Sequence, residues 1–266
     1  MAPKFNDQNY LKNDQYKDSS NLDARVAIHQ EFSTNPYGWF NWLFDRLITL
    51  PAEAKILELG CGNGVLWKNI AGRIPEGWNI TLSDFSAGML DAAWRNLVVT
   101  GRAFKFEEID AQSIPYAENM FDAVIANHMI YHVPDRQKAI QEMMRVLKPS
   151  GRLFATTVGE NHLREMQGWR KRITHDQYNP FTTSFNLENG MEQLRLVFRE
   201  VKLSRYEDNL QVNRVEPILA HMCSMVSTID VDAAELEKLR VELEAKLAKD
   251  GKIFIAKDSG LFEAIK

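Results

Sequence analysis

Lys55-Ile-Leu-Glu-Leu-Gly-Cys-Gly-Asn-Gly64 is the stretch on which the reading of this chain turns. A short apolar run, interrupted by Glu58, ends in glycines at 60, 62 and 64, and Leu66, Ile70 and Ile74 follow at helical spacing. That pattern predicts a buried strand, a tight turn and the start of a helix. Glycine permits positive φ and lets a ligand lie against the main chain. The first turn of the helix leaves N–H groups pointing into the same space. The stretch is therefore expected to form a cofactor-binding loop.

Spacing separates the candidate cofactors. The dinucleotide fingerprint G-x-G-x-x-G needs a glycine at position 65, where Val65 stands. The spacing here is G-x-G-x-G, with Glu58 ahead of it. In this the chain resembles the class I S-adenosylmethionine (SAM)-dependent methyltransferases, whose first motif is an acid, one residue, then G-x-G-x-G. Further pieces follow in order. Trp78-Asn-Ile-Thr-Leu-Ser-Asp84 reads as a strand ending in an acid, placed to accept ribose hydroxyls, with Phe85 and Met89 set to face an adenine ring. Phe104-Lys-Phe-Glu-Glu-Ile-Asp110-Ala-Gln112 reads as a third strand, and Phe121-Asp-Ala-Val-Ile-Ala-Asn127 as a fourth. His128-Met-Ile-Tyr-His132-Val-Pro-Asp135 comes directly after it, and Val146-Leu-Lys-Pro-Ser-Gly-Arg-Leu-Phe-Ala-Thr-Thr157 resembles the family's turn into its fifth strand. The resemblance covers residues 50 to 160 by motif and continues more loosely to the C-terminus.

The resemblance implies a Rossmann-like α/β fold: a seven-stranded, mostly parallel sheet with helices on both faces and its last strand antiparallel. It implies S-adenosyl-L-methionine as cofactor and S-adenosylhomocysteine as product. Glu58 would hold the loop or reach the methionine amino group. Gly60, Cys61, Gly62 and Gly64 would pass along the methionine and ribose, Asp84 would take the ribose, and Asp110 with Ala111 and Gln112 would meet the adenine edge. Asn127 would offer its carbonyl or side chain to the cofactor.

The rest of the chain bounds the reading. With 266 residues it can bury a sizeable core as one domain with additions. A formal net charge of -4 argues against a large nucleic-acid footprint, which needs a basic face. Cys61 and Cys223 lie far apart, one of them in the glycine loop, so no structural disulfide is expected. The opening Met-Ala-Pro-Lys-Phe-Asn-Asp is too polar for a signal peptide, no apolar run approaches membrane-spanning length, and a reducing, cytoplasmic setting is expected.

The expected organisation is a single domain, 1–266, in four parts. Residues 1–50 form an N-terminal extension or lid, polar to 20, then helical, ending in Tyr37, Trp39, Phe40, Trp42 and Phe44. Residues 51–158 form the SAM-binding core. Its helices carry apolar stripes at Leu90, Ala93, Trp94 and Leu97, and at Ile140, Met143, Met144 and Leu147. Ser86 is the expected N-cap of the first, and Pro134 suits the first turn of the second. Residues 159–195 form an insertion or cap after the fifth strand, on the ligand side of an open α/β sheet. Residues 196–266 complete the sheet, with a strand near 200 to 206 and Lys252-Ile-Phe-Ile-Ala-Lys257 as the last strand.

Methyl transfer from a sulfonium is an in-line displacement for which the protein supplies binding and orientation. It requires no metal, and only His128 and His132 share a ligand-like spacing; packing of His132 beneath the following helix is the alternative. Where the acceptor must lose a proton, His128 is the expected general base. Tyr37, Trp39, Tyr131, His162 and Tyr178 are the expected acceptor-side residues, with His175 a poorer candidate base. For the aromatic cluster at 37 to 44, core packing competes with a lid. The stripe Leu236, Leu239, Leu243 and Leu247 offers either a homodimer contact or packing on the chain's own sheet. The reading is a methyltransferase for a small molecule, similar to the quinone-biosynthesis methyltransferases. Its rivals are an RNA or protein methyltransferase, an NAD-dependent oxidoreductase and a non-catalytic SAM-binding module.

Overall fold

The computed structural model describes residues 6–174, 184–225 and 231–266. Its main sheet has seven strands in the order β3-β2-β1-β4-β5-β9-β6. The strands are β1 Lys55–Leu59, β2 Asn79–Asp84, β3 Lys105–Glu108, β4 Phe121–Asn127, β5 Leu147–Val158, β6 Glu200–Tyr206 and β9 Ser259–Ile265. β1 to β5 pair parallel to one another, and β9 runs antiparallel to both β5 and β6. Two short strands, β7 Asn209–Val212 and β8 Ile253–Ala256, form a separate antiparallel pair. The expectation that Lys252–Lys257 closes the main sheet is corrected here. Ser259–Ile265 does so instead, after the chain returns from the small sheet. Both segments are apolar and strand-like, and periodicity alone does not say which sheet each joins.

The described helices, in chain order, are α1 Gln8–Tyr10, α2 Ser20–Phe32, α3 Trp39–Leu47, α4 Val65–Ile70, α5 Ala87–Leu97, α6 Arg136–Val146, α7 Arg164–Thr174, α8 Gly190–Arg195, α9 Glu216–Ser224 and α10 Ala233–Asp250. Ser86 caps α5, its Oγ accepting from Met89 N at 3.4 Å. Asp135 caps α6, accepting from Lys138 N at 3.0 Å, so Pro134, expected in the first turn, lies ahead of the helix.

Alternation along the parallel strands sorts the core into two layers. Leu57, Leu59, Val124 and Ala126 face Ile140 and Met143 of α6. Ile56, Ile80, Leu82 and Ile125 face Leu43 and Leu47 of α3, Leu66 and Trp67 of α4, and Ala93 of α5. A third core lies off the sheet: Ile28 and Phe32 of α2, Met166 and Ile173 of α7, Ile218 and Met222 of α9, Leu239 and Leu243 of α10, and Ile253 and Ile255 of β8. This is the cap. It is assembled from three separated pieces of chain, not from 159–195 alone. Phe185, Leu187 and Leu194 belong to the main sheet's core, while β7, α9, α10 and β8 leave that sheet to join the cap. Leu239 and Leu243 are buried within it, so the α10 stripe packs on its own small sheet.

The N-terminal segment to 20, polar in sequence, packs on the molecule from residue 6 onward. Leu11 and Gln15 are buried, and Gln15 Nε2 donates to Ser224 O at 3.0 Å.

Candidate active site

A continuous cavity of about 1270 Å³ opens above the C-terminal ends of the parallel strands and runs beneath the cap. One end is built by the glycine loop. Gly60 and Gly64 hold φ of +67° and +74°, where a side chain is strained. A Cβ at Gly60 would come within 2.7 Å of Met129 Cβ, and one at Gly64 within 2.9 Å of Leu97 Cδ1. Gly60 thus lets the β1 and β4 loops approach each other at the cavity wall. Gly64 lets α4 pack on α5 and lies behind the wall.

Asp84 ends β2 and fixes the loop. Its Oδ2 accepts from Gly62 N and its Oδ1 from Ser86 N, each at 2.9 Å. Burial pushes its carboxyl up to about 6, against the pull of those backbone N–H groups. Phe85, Met89, Asp110 and Ala111 line the same end. Asp110 Oδ2 accepts from Gln8 Nε2 at 3.2 Å, and Gln112 folds back to Asp110 and does not line the cavity. Glu58 is also off the wall. It is 1% exposed and accepts from Trp67 Nε1 in the core. Burial raises it to about 8, with Trp67 opposing and Asp84 adding to the rise. Of the two roles expected for Glu58, the structure places it behind the loop.

His128 follows β4 with φ +53°, a strained setting for a residue with a side chain. Its N–H is held by Thr156 O at 3.2 Å and Thr156 Oγ1 at 3.0 Å, and Thr156 Oγ1 donates in turn to Asn127 Oδ1. The ring lies 5.3 Å from that of Trp39. Burial, reinforced by the Lys257 charge, lowers it to about 4, so it is neutral at ordinary pH. His132 contacts Tyr16 Oη through Nε2 at 2.8 Å. Among the described residues no group of three or more His, Cys, Asp or Glu is placed to hold a metal ion.

The aromatic cluster divides. Trp39 and Phe40 line the cavity, Phe44 is core, and Tyr37 is 48% exposed with its hydroxyl on Asp45, away from the site. Tyr131 and His162 line the cavity; Tyr178 and His175 lie outside the described residues. The cap brings further residues that the motifs did not mark: Arg25 and His29 of α2, His221 of α9 and Lys257 after β8. His29 stacks on His162 at 5.9 Å and meets His221 edge-on at 5.9 Å. Lys257 is paired with buried Asp208. Apolar spacing identifies these helices, but no local signal marks where their polar residues converge.

The residues present fit an adenosyl cofactor: Gly60 and Gly62, both at positive φ, open the wall, and two carboxylates at successive strand ends face the space between them. Such a site on this sheet belongs to the α/β proteins that bind a nucleoside cofactor at the C-terminal ends of parallel strands. A methyltransferase-domain family model matches residues 57–155. The chain is 30% identical over 165 residues to a ubiquinone biosynthesis O-methyltransferase from Histophilus somni, covering 56% of this chain and 67% of that enzyme. It is 32% identical over 161 residues to a malonyl-[acyl-carrier protein] O-methyltransferase from Enterobacter lignolyticus, covering 58% of this chain and 60% of that enzyme. The solved structure of the YcgJ protein from Bacillus subtilis shares the fold, with a TM-score of 0.58 and 19% identity, over 84% of this chain and 97% of that one. The chain belongs to the class I SAM-dependent methyltransferase superfamily.

Proposed function

We propose that this protein transfers a methyl group from S-adenosyl-L-methionine to a small-molecule acceptor held between His128 and the cap. The observation that carries this is the continuity of the cavity. It joins the glycine loop, Asp84 and Asp110 to His128 and the cap without a dividing wall, and its volume exceeds the roughly 300–1,000 Å³ usual for one ligand. When bound, the cofactor supplies a methyl group on a sulfonium and leaves as S-adenosylhomocysteine. Asp84 would accept the ribose hydroxyls, and Asp110 with Ala111 would meet the adenine edge. Asn127 would hold the cofactor beside His128. His128, neutral and fixed through its backbone to Thr156, would receive the acceptor's proton where the acceptor is a hydroxyl or ammonium.

The N-terminal segment would act as a strap over the cofactor end. Gln8 reaches Asp110, Ser86 Oγ donates to Tyr16 O at 2.7 Å, and Lys12 lies over the Phe85 ring. Opening of this strap and closure of the cap would admit the ligands and then exclude water. Calorimetry provides the first test: S-adenosylhomocysteine binds and NAD does not. An acceptor screen read by release of S-adenosylhomocysteine follows. Tight NAD binding without S-adenosylhomocysteine binding would overturn the reading.

A further inference from the structure

The two ends of the cavity differ in charge. Its acidic lining among the described residues is Asp84 and Asp110, both at the cofactor end. The cap end carries Arg25, Arg170, Lys257 and the imidazoles of His29, His162 and His221. Lys257 is neutralised by Asp208, a residue behind the wall. Among the described residues Arg25 has no such carboxylate: Nη1 meets the Met225 sulfur at 3.5 Å, the guanidinium lies over the Tyr16 ring, and buried Nη2 has no hydrogen-bond partner there. The Nδ1 atoms of His29 and His221 are likewise buried and unpartnered. His162 is fixed differently. Its Nδ1 accepts from Asp258 N at 3.1 Å, so in the neutral ring the proton is on Nε2.

Unsatisfied buried polar atoms of this kind are costly inside a protein, and three in one compartment, a guanidinium donor and two imidazole nitrogens, call for a common partner. A metal ion does not meet the need, since Arg25 would repel it. A cationic acceptor would face a guanidinium with no carboxylate, among the described residues, to hold it. An anionic oxygen group would accept from the Arg25 fork and from imidazole N–H donors together. Met166, Met222 and Met225 line the same compartment and suit an apolar body attached to that group.

We propose that the acceptor carries an anionic oxygen group, a carboxylate or a phosphate, that seats in the cap compartment against Arg25 with His29 and His221 as further donors. This rests on the reading of the cavity as a two-ligand methyl-transfer site. The anionic group anchors the acceptor at the cap, leaving the other end of the molecule toward His128.

The test uses the full chain, with and without saturating S-adenosylhomocysteine, titrated calorimetrically with benzoate, phenyl phosphate and benzamide. At least one of the two anions is expected to bind 10-fold or more tightly than benzamide, and which one does so separates carboxylate from phosphate. Arg25→Gln is expected to weaken that anion 10-fold or more while leaving S-adenosylhomocysteine affinity unchanged, which also shows that the variant is folded. Arg25→Lys, which keeps the charge but loses the fork, should fall between. Equal affinity for benzamide and the anions, an anion affinity indifferent to Arg25→Gln, or no anion binding would each overturn the proposal. If S-adenosylhomocysteine itself fails to bind, the methyl-transfer reading falls, while the anion titration without it still decides the chemistry of the cap.

Discussion

At the cofactor end of the cavity the wall comes from the ends of successive strands, one stretch of sequence after another. β1 delivers the glycine loop, β2 delivers Asp84, and the residue following each strand is fixed by the sheet register. At the cap end the pieces of the wall come from α2, α7, α9 and the turn after β8, with more than two hundred residues of chain between Arg25 and Lys257. The first end can be assembled only one way, because parallel strands buried on both faces have no freedom to slide. The second depends on helix packing against a two-stranded sheet, where substituting a polar residue leaves the architecture standing. A family can thus keep one cofactor and change acceptors.

His128 stands at the seam, on the strand end but facing the cap, and the sharpest break in this comparison is expected there. His128→Ala should lower turnover about 10²-fold or more, with S-adenosylhomocysteine affinity kept. Burial and the nearby Lys257 hold this imidazole down to about 4, so its base form persists well below neutrality. The acid limb of the wild-type rate profile should lie near that value, not near the ordinary histidine range. Unchanged turnover across pH with a known acceptor would assign His128 to positioning the loop.

Asp84→Ala addresses the cofactor end alone. S-adenosylhomocysteine affinity should fall by about 2 kcal/mol, the loss of a charged acceptor for buried hydroxyls. The same change leaves Gly62 N and Ser86 N without their acceptor, so melting should also move down. Asp84→Asn, which retains one acceptor oxygen, should do less on both counts. A dissociation constant unaltered in both variants would place the ribose elsewhere.

The same contrast governs what could be read from sequence. The order Gly60–Gly64, Asp84, Asp110, Asn127 is visible because each residue sits at a strand end with its own local pattern. The roles of Glu58 and Gly64 were not visible, because a motif says which residues recur at a loop and not which side of it they face. Glu58 turns inward to Trp67, and Gly64 turns toward Leu97. Tyr37 was placed near the acceptor by its aromatic neighbours, yet its hydroxyl is bound to Asp45 at the surface. Arg25, His29 and His221 carried no signal at all, since their convergence is a property of tertiary packing. The swap of Lys252–Lys257 for Ser259–Ile265 in the main sheet has the same origin.

The two regions should also answer pH with opposite sign. Burial lowers His29, His162, His221 and His128. Below about 6.5 the unfolded chain takes up protons that the folded cap refuses, so these groups cost stability as pH falls. Glu58, raised to about 8, keeps its proton in the folded state where the unfolded carboxyl has lost it. Its contribution is therefore lost as pH rises from near 4.5 toward 8. Urea unfolding between pH 5 and 8 should separate the two. His221→Gln should flatten the acid side and Glu58→Gln the neutral side. A Glu58→Gln protein whose stability follows the wild-type curve from pH 6 to 8 would show that Glu58 is ionised in the core.

The smallest expected effect concerns the strap, which touches both ends. Tyr16 donates nothing to the cofactor end through its ring, but its carbonyl accepts from Ser86 Oγ there, while its hydroxyl contacts His132 and its ring face carries Arg25 of the cap. Tyr16→Phe removes the hydroxyl contact alone. One neutral hydrogen bond is worth about 1 kcal/mol net, which corresponds to roughly a fivefold faster release of S-adenosylhomocysteine if strap opening limits exit. Equilibrium affinity should weaken by the same factor or less, and melting should move little, since the ring and its packing are retained. Stopped-flow displacement of the bound product measures the rate directly. A release rate indifferent to Tyr16→Phe, and indifferent again to Gln8→Ala at the Asp110 contact, would mean that the cofactor leaves by another route and that the strap belongs to the cap's architecture instead of its gate.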